Sequence, residues 1–390
     1  MTNRFILFLM LILYFGCKEN TNNTHILIPK KIKSGFSLMD KIVELEYITI
    51  NESQLMNDAI LHLIVMDSQF IVNTYGRNKL YRINEDGNVN SEPLKYSDEI
   101  PKRIGIDGTI FSIAFNVENK MAYVSDQGMN IFEVDLKNWH VTGLMRNVFG
   151  HNMYYYNHKL LLNNFDGNHT IQVLDPNTNE FISNIVKRYD HSGLVVGGSP
   201  FVELKDELLF IQSKSDTIYS IKNDQVTPKY SIQNGVGDLA NKEKDINHIV
   251  LNHIMKKPMP DQDYDILLPT GINSKLCNYL IVSLHGDKRQ LWVDMNTNIS
   301  NIVIPENIML GHLLFGFSVP QILNYFNGYY YSSTFFDSDF KDNAIKYLES
   351  TTVENQPYQT IKDIMEQYKD WDYLENPMIV KFKIKDEFTI

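Results

Sequence analysis

The sequence predicts an all-β chain folded as a six-bladed β-propeller, each blade built of four antiparallel strands. Three observations predict it. One strand-and-turn phrase returns along the chain, as "NKLYRINEDGNV", "MNIFEVDLKNWHV", "HTIQVLDPNTNEF" and "RQLWVDMNTNIS". A second apolar strand and a short polar turn precede each copy, as in "KMAYVSD" and "NYLIVSL". Aromatic residues make up 12% of the chain, which suits pleated sheet more than helix.

Taken in order, the chain opens on "MTNRFILFLMLILYFGCKEN", where Arg4 precedes an unbroken apolar run from Phe5 to Phe15. That run is shorter than the roughly 20 residues a spanning helix needs and suits the core of a signal peptide. Gly16–Cys17 follows at once, as in a bacterial lipobox, so residues 1–16 read as a lipoprotein signal with Cys17 acylated. Residues 17–40, containing "KENTNNTHILIPKKIKSG", read as a polar tether. The expected setting is a bacterial membrane, the outer one, reached through the lipid at Cys17. Formal charge is −11, and −12 once Arg4 leaves with the signal. An acidic body of this kind argues against nucleic acid, which calls for dense Lys/Arg surfaces. With Cys17 carrying lipid, Cys277 in "KLCNYLIV" has no intrachain partner and reads as a small hydrophobe beside a strand.

Residues 41–390 read as one propeller domain. The first apolar residue of the repeated phrase falls at Leu80, Ile131, Ile171, Ile218, Leu291 and Ile379. The first three steps, 51, 40 and 47 residues, are those of single propeller blades. Upstream of each strand pair lies another apolar segment, such as "AILHLIVMD" or "FSIAFNVEN", and downstream a looser fourth, such as "VTPKYSI". Alternating side chains place each strand half-buried, and "NEDGN" or "DPNTN" supply the residues that tight turns favour. The two long steps, 73 and 88 residues, each hold a helical insertion, at about 240–258 and 341–371. The first has Ile246, Ile249, Val250 and Ile254 at helical spacing and ends at Pro258; the second has Ile361, Ile364, Met365 and Tyr368 on one face. Thr360 and Asp363 approximate a capping box for the second. "KIVELEYITI", residues 41–50, is an alternating strand with no blade of its own and is expected to close the ring against the C-terminal blade. A pair of β-sandwiches is the competing architecture, but sandwich strands do not recur as one shared phrase.

The lipobox, the six phrases and the closing "ENPMIVKFKIK" together resemble a family of bacterial six-bladed β-propeller lipoproteins, similar in fold to NHL and TolB-like propellers. The resemblance implies non-catalytic binding or scaffolding at the cell envelope, with a glycan or peptide as ligand, an envelope protein as partner and nutrient uptake as one setting. It transfers no catalytic residue.

The motifs that would carry chemistry fail on spacing. Asp261, Asp263 and Asp265 open like a calcium loop, but Ile266 stands where the turn needs Gly and Ile272 where it needs Glu. His248 and His253 are five apart and miss the i, i+4 geometry of a zinc helix. Trp371–Asp372 falls in an insertion and carries no WD40 meaning. There is no phosphate loop and no nucleophile elbow. No catalytic residue, metal ligand or cofactor is therefore expected. Geometry supplies the remaining candidates, because polar groups at the ends of a propeller's innermost strands converge near the axis. They are His151, Asn152 and Tyr154 in "GHNMYYY", His191 and Ser199 in "HSGLVVGGSP", Asn273 in "GINS" and Ser318 in "FGFSVP". Packing between blades is the competing role for each, as it is for the tyrosines of "MYYYN" and "NGYYYSS". The alternative function is a metal-dependent hydrolase, of lactonase or phosphoesterase type, with a cation at the central channel. That alternative requires several carboxylates on the axis, where the sequence places mostly Ser, Asn and His.

Overall fold

A computed structural model describes residues 24–29, 32–33, 36–51, 59–74, 79–90, 92–101, 105–106, 110–127, 129–148, 150, 152–163, 169–187, 199–212, 215–223, 225–233, 269–284, 289–304, 311–316 and 321–386. They form six antiparallel sheets, one per phrase. Blade 1 runs from Ile60 to Asn90, blade 2 from Ile110 to Arg146 and blade 3 from Asn152 to Lys187. Blade 4 runs from Phe201 to Gln233, blade 5 from Pro269 to Val303, and blade 6 joins Asn324–Ile384 to the strand Ile42–Thr49. The first strand of each blade is innermost, and neighbouring blades touch there: Ile272 N–H donates to the Ser199 carbonyl at 2.9 Å, tying blade 5 to blade 4.

Local chemistry explains the repeated phrase. Asp135, Asp175 and Asp294 end third strands, and each accepts from the backbone N–H two residues on, at 2.9, 2.8 and 2.8 Å. The carboxylate thus nucleates the turn. Trp139, Asn179 and Asn298 then take positive φ near 54–59° to re-enter the outer strand. The hairpin between the first two strands uses Asn157–His158 in blade 3 and Asn327–Gly328 in blade 6, both residues with positive φ, as a two-residue turn matched to strand twist requires. Second strands, such as Gln69–Thr74 and Tyr329–Thr334, are buried on both faces because they sit mid-blade with a blade on either side.

One expectation needs correction. The segment 17–40 is no free tether from Thr24 onward. Thr24–Leu27 adds a fifth, parallel strand to blade 4, Ile32–Lys33 one to blade 5, and Phe36, Leu38 and Met39 are buried. Lys95–Tyr96 does the same for blade 2, so three of the four-stranded antiparallel blades carry a short parallel strand added at the outer edge. The reason is edge chemistry: an outer strand leaves a row of N–H and C=O groups that any extended neighbour can satisfy.

The 341–371 insertion is two helices, Ser338–Ser350 and Gln356–Gln367, between the second and third strands of blade 6. Asn355, not Thr360, caps the second helix, its side chain accepting from Tyr358 N–H at 2.9 Å. Ile361 and Ile364 face the core as expected, with Met365 and Tyr368 packed against it. The insertion at 240–258 lies outside the described residues. In blade 6 the strand Ile42–Thr49 pairs antiparallel with Met378–Ile384, so the two ends of the chain share one sheet.

Candidate functional site

Because strands alternate in direction, the starts of first and third strands and the ends of second and outer strands lie at one end of the ring, called the upper end. That end carries a collar of buried or half-buried polar side chains, blade by blade. His62 pairs in register with Asn73 in blade 1, Ser112 with Ser125 in blade 2 and Asn152 with Asn163 in blade 3. In blade 4 the Pro200 carbonyl accepts from Ile211 N–H, which sets Ser199 and Gln212 at one height. In blade 5 Ser283 Oγ donates to Asn273 Oδ1 at 2.6 Å.

Three of the sequence-predicted residues lie toward the upper end of three consecutive blades at different registers: Asn152 opens the inner strand of blade 3, Ser199 stands two residues before that of blade 4, and Asn273 is the fifth residue of blade 5's, at a bulge. Tyr154, two residues on in the same inner strand, is committed elsewhere. Its hydroxyl donates to Glu203 Oε2 at 2.6 Å and its ring lies 5.7 Å from that of Phe201. Burial first, and Glu203 beside it second, hold the phenol well above its ordinary pKa. His151, His191, Ser318 and Cys17 lie outside the described residues, as do Asp261, Asp263, Asp265, His248 and His253. The other tyrosines pack between blades: Tyr155 stacks on Tyr123 at 5.6 Å, and Tyr331 meets Phe70 at 6.0 Å. Cys277 is half-buried in a turn at φ 48°, its thiol 3.3 Å from the Lys385 carbonyl, rather than sunk in a strand.

Sequence reasoning missed His62 and Ser112. Both sit inside alternating apolar strands, and the signal was a polar residue recurring at the same height in successive blades. Each ties neighbours together: Ser112 Oγ accepts from Met153 N–H at 2.8 Å, and His62 bonds the backbone of Phe111. Asn324 Nδ2 does likewise, donating to the Leu63 carbonyl at 3.0 Å. These side chains satisfy backbone groups that an innermost strand would otherwise leave open.

What sets the collar apart is spare hydrogen-bonding capacity. Among the described residues, His62 Nε2, Thr74 Oγ1, Ser125 Oγ, Thr170 Oγ1, Gln212 Oε1, Asn273 Nδ2, Ser274 Oγ and Gln290 Nε2 are buried with no partner. These belong to blades 1–5; elsewhere, Gln69 Oε1 at the lower end of blade 1 and Tyr47 Oη on the outer strand of blade 6 are also buried without a partner. Thr170 and Gln290 sit at third-strand starts, so they share the upper end. Blade 6 is different: Ser332 and Thr334 donate to carbonyls of Leu314 and His312, which holds the short helix Gly311–Phe315 on that blade. An unsatisfied buried polar group costs about 1–3 kcal/mol, so a series of them in one place calls for polar partners there, ordered water or a ligand.

A groove of about 520 Å³ runs between the strand Ile42–Thr49 and the helix Gln356–Gln367. Its charged groups are already engaged, whereas the buried Tyr47 hydroxyl has no partner. Glu44 accepts from Tyr329 at 2.5 Å and from Lys383 at 3.3 Å, and Glu46 from Lys381 at 2.9 Å. Gln356 brackets Leu45, accepting from its N–H at 2.7 Å and donating to its carbonyl at 2.8 Å. This is a clasp on an exposed strand edge.

Comparison with known proteins supports the fold alone. A Bacteroides fragilis chain, named as a candidate exported protein, matches with a TM-score of 0.61 at 12% identity, covering 93% of this chain and 100% of that one. Weaker likenesses are BamB from Moraxella catarrhalis (TM-score 0.36, 10% identity, 66% of each chain) and the WD40 repeats of RRP9 (0.40, 10%, 70% and 86%). No family model and no curated protein matches. The chain is a six-bladed β-propeller.

Proposed function

We propose that this propeller is an exported, envelope-held protein that binds a neutral, hydrogen-bond-rich ligand, a glycan or a peptide, at the upper end of the ring and performs no catalysis. The collar's unpartnered amides, hydroxyls and imidazole carry this reading. They offer donors and acceptors without net charge, the chemistry that suits sugar hydroxyls and peptide groups. His62, Asn152 and Asn273 are half-buried and Ser199 exposed, so they form the reachable layer; Thr74, Ser125 and Gln212 stand behind them. Export is supported by the leader "MTNRFILFLMLILYFGC" and by the name of the Bacteroides fragilis neighbour; acylation of Cys17 and an outer-membrane setting follow from the lipobox reading.

The hydrolase alternative finds less support in the donor set. The carboxylates described at the upper end are already engaged: Asp126 accepts from Asn130 N–H at 3.1 Å and Asp216 from the Thr217 hydroxyl at 2.8 Å. No group of three or more His, Cys, Asp or Glu side chains among the described residues is arranged to hold a metal.

The test is calorimetric titration of the mature protein with neutral oligosaccharides and extended peptides, beside the Asn152→Ala/Asn273→Ala variant. The expected result is binding by the native protein, weakened about tenfold or more in the variant, the equivalent of one lost hydrogen bond. Equal affinity in a variant with an unchanged thermal midpoint would place the site elsewhere. Turnover of a lactone or phosphoester dependent on a divalent cation would favour the enzyme.

A further inference from the structure

We infer that the outer edge of blade 6, along Ile42–Tyr47, is a docking site for an extended, basic segment of another protein, which adds to the sheet as a further strand. This site is separate from the collar and does not depend on it.

The other blades supply the pattern. Blades 2, 4 and 5 each take a short strand on the outer edge: Lys95–Tyr96, Thr24–Leu27 and Ile32–Lys33. In blade 6 the groove of about 520 Å³ lies along that edge, with the helix Gln356–Gln367 as its other wall. A groove between an open sheet edge and a helix suits an extended peptide that adds as a strand. The edge is already set out for one. Leu45 N–H and carbonyl turn outward, and the Gln356 side-chain amide takes both, at 2.7 and 2.8 Å. Those are the two bonds that a residue of an adjoining antiparallel strand would exchange with Leu45. Alternation turns the backbone groups of Tyr47 the same way. Beyond Tyr47 the edge is closed, because Gly87 of blade 1 sits against the Thr49 carbonyl and accepts from Asn51 N–H at 3.0 Å.

Charge decides the occupant. The third strand of blade 6 presents Lys381 and Lys383, which pair with Glu46 at 2.9 Å and Glu44 at 3.3 Å on the edge strand. A strand added outside would stand beside Glu44 and Glu46, so Lys or Arg at alternate positions continues the ladder of opposite charges. Asp363 brings a third carboxylate to the groove lining, against the single ammonium of Lys381. It accepts from Gln359 Nε2 at 2.6 Å and meets no cation among the described residues. Thr360 and Ile364 line the helix side, which suits β-branched residues between the basic ones.

The probe is a capped, fluorescently labelled peptide of alternating lysine and valine, titrated by anisotropy into the mature protein, with hydrogen exchange to locate it. Saturable binding with slowed exchange at residues 43–47 is expected. The Gln356→Ala protein, freed of the competing amide, should bind about tenfold more tightly. A peptide with glutamate in place of lysine, or one N-methylated throughout, should not bind. Equal binding of either control peptide, no binding to native or Gln356→Ala protein, or an affinity that Gln356→Ala leaves unchanged overturns the inference. Protection at 152–156 or 272–276 in place of 43–47 would put the peptide at the collar, which overturns the separate site and leaves the collar reading standing.

Discussion

At the scale of single residues, the collar is built from side chains with two duties, joining blades and offering spare hydrogen-bonding groups. His62 shows both. Its imidazole is enclosed by blade 1 and blade 2, bonds the Phe111 backbone and leaves Nε2 without a partner. Burial lowers its pKa from 6.5 to about 4, with the Phe111 bond opposing. The folded state therefore binds that proton less readily than the unfolded chain. His62 stabilises the fold fully above pH 6.5, and the contribution is lost as pH falls from there through 4. Its full size is about 3 kcal/mol. Urea midpoints measured from pH 7.5 to 4.5 should fall more steeply for the native protein than for His62→Gln; parallel curves would show that the imidazole is not held neutral. Residues of this kind were only partly legible in the sequence. Asn152, Ser199 and Asn273 stand at or near strand starts flanked by turn formers, where a polar residue is conspicuous. His62 in "AILHLIVMD" and Ser112 in "IFSIAFN" lie within alternating strands, where a single polar residue reads as the solvent face. Tyr154 gave no sign that its hydroxyl meets Glu203, because the partner lies in the next blade.

At the scale of elements, strands repeated with a shared turn were the easiest to read, since an Asp that nucleates a turn marks each third strand. Elements held by edges were not. "THIL" and "IK" are too short and too polar to announce strands, and they exist because blades 4 and 5 present open edges. The helix Ser338–Ser350 was hidden by its composition, with Phe340, Ala344 and Tyr347 its buried residues, although Asp337 caps it by accepting from Phe340 N–H at 2.9 Å. The N-terminal segment should be structural. Phe36 is 4% exposed and meets Trp292 edge-on at 5.3 Å, so Phe36→Ala should cost about 3–5 kcal/mol, read as a lowered denaturation midpoint. A change below about 0.5 kcal/mol would mean that the segment is a loose tether after all. The Gln356 clasp makes a different prediction. Removing it in Gln356→Ala frees the N–H of Leu45 on an outer edge, while its carbonyl still accepts from Thr360 Oγ1 at 3.1 Å, at a cost of about 1–2 kcal/mol. Self-association by sedimentation velocity should rise with it, because an unpaired edge recruits strands. A variant as monomeric as the native protein would assign Gln356 to helix docking alone.

At the scale of the whole molecule, the ring is closed by chemistry at three depths. Inner strands are joined by Ser112, Asn324 and the Ser199–Ile272 bridge. Apolar clusters fill the spaces between neighbouring blades, as where Ile64 and Ile71 of blade 1 pack with Phe132 and Val134 of blade 2. The two chain ends share the sheet of blade 6. Within this frame polar groups with spare capacity gather toward the upper end of the ring. The fold class followed from repetition alone, whereas this polarity depends on which residues successive blades bring to one height, and no single blade states it. The ligand site at the upper end is the central claim. A crystal structure of the mature protein grown with a saturating neutral oligosaccharide tests it most directly. Ligand density is expected at the upper end, within hydrogen-bonding distance of Asn152, Ser199 or Asn273. Density confined to the blade 6 groove or the lower end, with the collar unchanged, would contradict it.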